Sequence, residues 1–180
     1  MSKANLLMEL YSNLGTTGAV TFSSKFLVNR FLSFTDFSNA LVIVEFGGGD
    51  GSITQGIIDR MRPDANLYVF EINKAFCDTM RVQFPQANVH IINDSAENFL
   101  RYLKGNKADL ILTSLPFTLI PKEVTDQILR ESQHGLSEQG QFLQLCYNYR
   151  LKQLFLKYFP RVNANFILRN IPPAWVMICS

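Results

Sequence analysis

The chain has 180 residues, of which 47% are hydrophobic and 18% charged, a composition typical of one folded domain and not of a disordered segment. The formal net charge is only +2 and the basic residues form no run, so the dense basic stripe of strong nucleic-acid binders is absent from the sequence. Three separated cysteines and two histidines without metal spacing predict no metal site. No segment approaches the ~18 consecutive apolar residues of a membrane span, and the N-terminal apolar run contains Glu9, so we expect a cytoplasmic protein without a signal peptide.

Two amphipathic helical patterns, at 4–14 and 23–34, precede the first predicted strand. The apolar face of the second pattern carries Phe26, Leu27, Phe31 and Phe34. Two interpretations are open for residues 1–39: a lid that packs on the domain, or a segment that docks on a membrane surface.

From residue 40 onward, apolar strand-like segments alternate with helical segments that each end near a proline or a glycine. The predicted strands span 41–46, 66–72, 88–92, 108–115 and 141–147. The predicted helices span 54–62, 74–84, 96–103, 122–134 and 150–159. Strands this uniformly apolar favour a parallel sheet covered on both faces. Two last strand-like segments, 163–169 and 174–180, are joined by a link too short for a crossover helix, so they should pair antiparallel.

These patterns predict a single α/β domain over 1–180, with a Rossmann-like core at 40–180. We expect a seven-stranded, mostly parallel sheet with helices on both faces and a C-terminal antiparallel hairpin.

A glycine-rich turn follows the first predicted strand, in the frame acid-x-Gly-x-Gly-x-Gly formed by Glu45, Gly47, Gly49 and Gly51. Glycines let the backbone bend sharply and approach a ligand closely. The turn lies at the carboxyl edge of the sheet, where open α/β sheets bind ligands. A dinucleotide site would need G-x-G-x-x-G, whose third glycine would fall on a serine or a threonine here, so binding of NAD or FAD is disfavoured.

Further candidate ligands of an adenosine group follow the next two strands. Glu71 ends the second strand and could accept hydrogen bonds from both ribose hydroxyls, while Ile72 could pack on an adenine face. Asp94 and Ser95 follow the third strand. Asp94 could accept a hydrogen bond from the adenine amino group or could instead cap the following helix.

Together, these residues resemble the class I S-adenosylmethionine (SAM)-dependent methyltransferases over residues 20–180. The resemblance implies SAM as the methyl donor. It implies that Glu45 and the glycine turn hold the methionine end, that Glu71 holds the ribose and that Asp94 holds the adenine.

Ser114, Leu115, Pro116 and Phe117 lie at and just beyond the end of the fourth predicted strand and are called the reacting segment below. In amino-methylating members of the family the matching segment is often Asn-Pro-Pro-Tyr or Asn-Leu-Pro-Tyr, in which a polar side chain and a backbone carbonyl grip the target nitrogen and an aromatic ring covers it. The Ser and Phe found here weaken the case for base methylation. Phe117 could stabilise positive charge by a cation–π contact. Tyr147, and Tyr11 near the proposed lid, are further candidates for contacting an amine.

A closer resemblance is to bacterial phospholipid N-methyltransferases, which themselves look like ribosomal RNA adenine dimethyltransferases. It is carried by 18–27, the glycine turn, the reacting segment with Pro121, and 170–174. It implies stepwise methylation of phosphatidylethanolamine, an N-terminal amphipathic helix that docks on anionic membrane, and Ser23 and Ser24 at the cofactor site. Such docking would place a cytoplasmic protein peripherally on the inner face of the membrane.

Two alternative functions remain at this point. The first is an RNA adenine N-methyltransferase, a class that usually carries an extra C-terminal helical domain. The second is a non-catalytic SAM-binding module, against which the presence of both Glu45 and Glu71 counts. Basic side chains also flank the helix predicted after the fifth strand, as a solvated face or as a surface for lipid phosphates or RNA. They are Arg150, Lys152, Lys157 and Arg161.

Overall fold

A computed structural model describes residues 24–170 and 172–180. Its strands are β1 (Val42–Phe46), β2 (Asn66–Phe70), β3 (Val89–Ile92), β4 (Ala108–Thr113), β5 (Leu136–Cys146), β6 (Val162–Ile167) and β7 (Ala174–Cys179). They form one sheet in the order β3-β2-β1-β4-β5-β7-β6. The first five strands pair in parallel, whereas β7 runs antiparallel to both β5 and β6. The predicted fold class, with its terminal hairpin, is confirmed.

Helices cover both faces of the sheet because its strands are apolar on both sides. The helices are α1 (Lys25–Leu32), α2 (Ser52–Ile58), α3 (Lys74–Gln83), α4 (Phe99–Leu103), α5 (Lys122–Gly135) and α6 (Leu151–Phe155). One core contains Phe46, Phe99 and Phe142 and is covered by α4, α5 and α6. The other contains Ile43 and Leu67 and is covered by α1, α2 and α3.

The bounds of several elements differ from the sequence prediction, and two of these differences have a clear structural cause. Strand β5 begins at Leu136, directly after α5, because Leu136 pairs with Ala108 before an irregularity brings Gln141 opposite Leu110. The residues of β5 between these two pairs are mostly polar, so the apolar pattern used to predict strands did not include them. Helix α6 ends at Phe155, because its last turn tightens into i to i+3 hydrogen bonds such as Tyr158 N to the Phe155 carbonyl at 3.0 Å.

Helix α1 packs on the domain through one face. Its start is capped by Ser24, whose Oγ accepts a hydrogen bond from Leu27 N at 3.1 Å. Leu27 and Phe31 are buried in the core, whereas Phe26 on the same helix is 44% exposed. Gly56 on α2 allows the close approach, since a Cβ there would lie 2.6 Å from Cδ1 of Leu32. Ser23, Tyr11 and the first predicted helix lie outside the described residues.

We expect Phe31→Ala to lower the free energy of unfolding by about 3–5 kcal/mol, because it removes a fully buried ring and leaves a cavity. Phe26→Ala on the same helix is the matched control and should change it by less than about 0.5 kcal/mol. Urea titration of both variants measures the difference. Equal, small losses would mean that α1 contributes nothing to the core.

Candidate active site

The carboxyl ends of β1 to β4 bring four separate loops to one edge of the sheet. The last residues of these strands are register partners: Phe46 pairs with Phe70 and with Thr113, and Phe70 pairs with Ile92. The glycine turn, Glu71, Asp94 and the reacting segment each begin within two residues of these positions. The parallel register therefore places all four predicted parts of the site side by side.

The glycine turn (Gly47 to Gly51) has a backbone that other residues would not readily adopt. Gly47, Gly49 and Gly51 have φ angles of 79°, 53° and 81°, in the left-handed region. At Gly48 a Cβ would lie 2.6 Å from Cγ1 of Val69, so this residue must also be small. The turn thereby lies directly against β2 and presents backbone instead of side chains at the amino end of α2.

Glu45 places a buried carboxyl group beneath this turn. It is 1% exposed, and its Oε2 accepts a hydrogen bond from Thr54 Oγ1 at 2.7 Å. Burial raises its pKa to about 8, the nearby Glu71 and Asp50 charges add to the rise, and the Thr54 hydrogen bond opposes it. Its Oε1 accepts no hydrogen bond from the described part of the chain. A buried acceptor without a donor suits a cationic or N–H-bearing ligand group.

Glu71 connects the end of β2 to the glycine turn. Its Oε2 accepts from Gly49 N at 3.0 Å and its Oε1 from Asn73 N at 2.8 Å. Burial raises its pKa, although these backbone hydrogen bonds act in the opposite direction. Asn93, which follows β3, donates to the carbonyl of Glu71 at 2.9 Å. The carboxylate is thus held in one position, with acceptor capacity left on both oxygens.

Asp94 makes hydrogen bonds within its own loop. Its Oδ1 accepts from Ser95 N at 2.7 Å and from Asn98 Nδ2 at 2.9 Å, and its Oδ2 accepts from the Tyr102 hydroxyl at 2.8 Å. Burial acts to raise its pKa, but these hydrogen bonds outweigh it and lower the pKa below the ordinary value. Asp94 is therefore an ionised anchor for the short 3₁₀ turn Ala96–Asn98, and its carboxylate also borders the cleft.

A shallow cleft lies between these loops and α5. Its wall includes six residues predicted from the sequence: Gly47, Glu71, Ile72, Asp94, Ser95 and Leu115. Sequence reasoning missed its apolar wall, formed by Ile120, Val124 and Ile128. Their four-residue spacing after the reacting segment was the available signal, but the same spacing is typical of any buried helix face.

The reacting segment is anchored by its backbone. The Leu115 carbonyl accepts from Gln144 Nε2 at 3.0 Å, and Leu115 N donates to Thr113 Oγ1 at 3.1 Å. Ser114 is exposed at the end of β4, and its N donates to the Phe46 carbonyl at 3.5 Å. Gln144 is a buried polar residue on β5 that the sequence reasoning did not single out.

Several other predicted site residues do not border the cleft. Phe117 is 4% exposed and packs edge-to-face against Phe155, with the ring centroids 5.7 Å apart. Tyr147 is 48% exposed, and burial raises its pKa, so it is a neutral phenol at physiological pH. Ser24 caps α1, as described above, and Pro116 forms the turn that leads to Ile120. Their proposed roles in catalysis or cofactor binding stay predictions.

Within residues 24–170 and 172–180, no three His, Cys, Asp or Glu side chains are grouped so that they could hold a metal ion. No helix in the same ranges is long and apolar enough to cross a membrane.

This sheet order, with a glycine turn after β1 and acids at the ends of β1 and β2, defines a class I SAM-dependent methyltransferase. Residues 43–140 match the family described as methyltransferase domain. The chain belongs to this family, and SAM is its methyl donor.

A curated relative supports the same class. Over 162 residues the chain is 29% identical to an ornithine lipid N-methyltransferase of Singulisphaera acidiphila, a match that covers 87% of this chain and 84% of the relative.

Two solved structures share the fold. TrmN from Thermus thermophilus aligns with a TM-score of 0.71 and 17% identity, over 89% of this chain and 50% of its own. The precorrin-6y C5,15-methyltransferase from Geobacter metallireducens aligns with a TM-score of 0.71 and 12% identity, over 89% and 90%. The chain thus spans half the length of the Thermus protein, and at these identities both matches show the fold alone.

The buried carboxyl group of Glu45 predicts a pH dependence of stability. Because its folded pKa of about 8 lies above the ordinary 4.5, the unfolded chain releases the proton first as the pH rises. The stability contributed by the protonated group is complete below about pH 4.5 and is lost as the pH rises through about 8. We expect the free energy of unfolding to fall over this range by up to about 1.4 kcal/mol per pH unit for this group.

Glu45→Gln should remove that contribution while leaving an acceptor for the Thr54 hydroxyl. In urea titrations at pH 5, 6, 7 and 8, the variant should gain stability relative to wild type as the pH rises. Parallel curves would show that Glu45 is ionised in the folded protein throughout.

Glu71→Ala should weaken SAM binding about 10- to 100-fold, because hydrogen bonds to a charged carboxylate contribute about 1.5–3 kcal/mol. Calorimetric titration measures the affinity, and a thermal melt of the same sample shows whether the variant is folded. Glu123→Ala, an exposed acid in the first turn of α5, is the control. Equal affinity in the folded Glu71→Ala variant would remove Glu71 from the cofactor site.

Proposed function

We propose that the protein transfers methyl groups from SAM to the amine of a lipid head group, as a peripheral protein on a membrane surface. The observation that carries this proposal is the similarity to an ornithine lipid N-methyltransferase along 87% of the chain. It agrees with the independent resemblance of residues 18–27 and 170–174 to phospholipid N-methyltransferases.

The cofactor residues are assigned from the chemistry of the described side chains. SAM, when bound, supplies a methyl group on a positively charged sulfur. Glu45 offers a buried oxygen without a donor beneath the glycine turn, which fits the charged methionine end. Glu71 has acceptor capacity left for the ribose hydroxyls. Ile72, with the apolar wall of α5, fits the flat adenine ring, whose amino group can donate to Asp94.

The acceptor amine must be neutral to attack, and an apolar environment favours that form because it disfavours the ammonium ion. Leu115 and Ile120 provide such surroundings beside the reacting segment. The Leu115 carbonyl is fixed by Gln144 and keeps a second lone pair that can accept an amine N–H. These groups orient the nitrogen, and most of the rate gain from such a site comes from positioning.

RNA is the less supported acceptor. Its support is limited to the fold shared with solved structures described as rRNA methylases, and folds are shared by many activities. The exposed Ser114 stands where base-methylating members of the family carry Asn. The modest net charge of +2 gives no general attraction for nucleic acid.

Methyl-labelled SAM offered with mixed vesicles tests the proposal. We expect label in the lipid fraction when the vesicles contain phosphatidylethanolamine or an ornithine lipid, and none when phosphatidylcholine, whose amine is already fully methylated, is the only lipid. Glu71→Ala should lose this transfer and Glu123→Ala should retain it. Transfer of label to ribosomal RNA would contradict the proposal. So would the absence of label from every amino-lipid tested.

A further inference from the structure

A cluster of aromatic rings lies on the surface where the β6–β7 hairpin meets the loop after β5. It consists of Tyr149, Phe166 and Trp175, and it is called the aromatic cluster below. The ring of Trp175 lies between the other two, with a centroid distance of 4.7 Å to each. Tyr149 and Phe166 are nearly half exposed, and the neighbouring Leu168 is 71% exposed. Large apolar side chains grouped in this way at a surface are typical of an interaction site.

The aromatic cluster lies at the same edge of the sheet as the reacting segment. Trp175 is the register partner of Cys146, the last residue of β5, and of Phe166 near the end of β6. Both strands end at the edge where β1 to β4 also end, because β5 and β6 both run antiparallel to β7. A surface that contacts the aromatic cluster therefore also faces the opening where the acceptor must arrive.

The part of the sequence that contains the aromatic cluster carries basic residues and no acidic ones. All fifteen Asp and Glu residues precede residue 139. The basic residues after that point are Arg150, Lys152, Lys157, Arg161 and Arg169. Lys152 also lies over the Tyr149 ring, with Nζ 6.0 Å from the centroid. Aromatic rings combined with lysine and arginine are characteristic of the boundary of an anionic bilayer.

We infer that the aromatic cluster, with Leu168, Lys152 and Arg169, docks the protein on an anionic lipid bilayer. Tyrosine and tryptophan rings are stable at the head-group level, and an exposed leucine gains by entering the acyl region. The inference rests on the proposed function in one respect, namely that the docked edge is the one that receives a lipid amine.

A bilayer fits this surface better than RNA does. Single-stranded RNA is bound by aromatic rings whose faces are open for stacking with bases. Trp175 has a neighbouring ring on both sides, at 4.7 Å each, so no base can enter between them. Leu168 has no aromatic ring on which a base could stack.

Cosedimentation of the full chain with vesicles tests the inference. We expect binding to vesicles of phosphatidylcholine with 30% phosphatidylglycerol, weaker binding as salt rises, and little binding to pure phosphatidylcholine. Phe166→Ser combined with Leu168→Ser should weaken binding at least tenfold. Val82→Ser, which removes an 84% exposed apolar side chain from α3, is the matched control and should bind as wild type does.

A second double variant tests the same inference if the variant with Phe166→Ser and Leu168→Ser does not fold. Lys152→Gln combined with Arg169→Gln should lower anionic-vesicle binding at least tenfold and flatten its salt dependence. Lys104→Gln, at an exposed lysine outside the aromatic cluster, should not. Unchanged binding in both double variants, or equal binding to neutral vesicles, would overturn the inference, as would retention of an RNA oligonucleotide without vesicle binding. Vesicle binding is measured without methyl transfer, so its failure is distinguishable from failure of the proposed function.

Discussion

The site depends on the hydrogen bonds that hold the glycine turn against the end of β2. Gly47 N donates to the Phe70 carbonyl at 2.8 Å, and Gly49 N donates to the Glu71 carboxylate. The parallel ladder thus continues past the last residue of β1 before the chain bends into α2. Since Val69 leaves no room for a side chain at Gly48, this arrangement is available only to a glycine-rich sequence. The end of β1 and the Glu71 carboxylate are thereby fixed relative to each other.

The same arrangement buries two carboxyl groups, which is unfavourable for the free protein. Burial raises the pKa of both Glu45 and Glu71, so the ligand-free site favours their protonated forms more than solvent does. A bound cation reverses this preference, because an opposite charge stabilises the carboxylate. Burying these carboxyl groups lowers the free energy of unfolding, and the binding of a positively charged cofactor offsets part of that loss. Cofactor affinity is therefore coupled to folding and to pH.

The fold was predictable from the sequence because its determinants are local. Most of the buried strands contain an apolar run, and a Pro or Gly follows most of the predicted helices, so the mostly parallel sheet and its terminal hairpin could be predicted. The order of the strands in the sheet was not predicted and comes from the structure. The environments of individual side chains were not predictable, since they depend on tertiary neighbours. Neither the Tyr102 hydroxyl at Asp94 nor the Gln144 amide at Leu115 has a pattern in the sequence. Phe117 matched a family motif, yet its ring belongs to the core with Phe155.

Charge is distributed unevenly along the carboxyl edge of the sheet, and under the proposed function the two ends of this edge would meet different partners. Buried acids lie at the ends of β1 and β2, whereas the segment after β5 carries basic residues and no acids. The reacting segment after β4 stands between these two regions in the sheet order. An amine presented from an anionic bilayer would be concentrated near β5 to β7 by the attraction between lipid phosphates and basic side chains. The amine would then have to move only from β5 to the neighbouring strand β4 to reach Ser114 and Leu115. Docking and catalysis could thus use one edge of the sheet, because the basic residues and the buried acids lie at different ends of it.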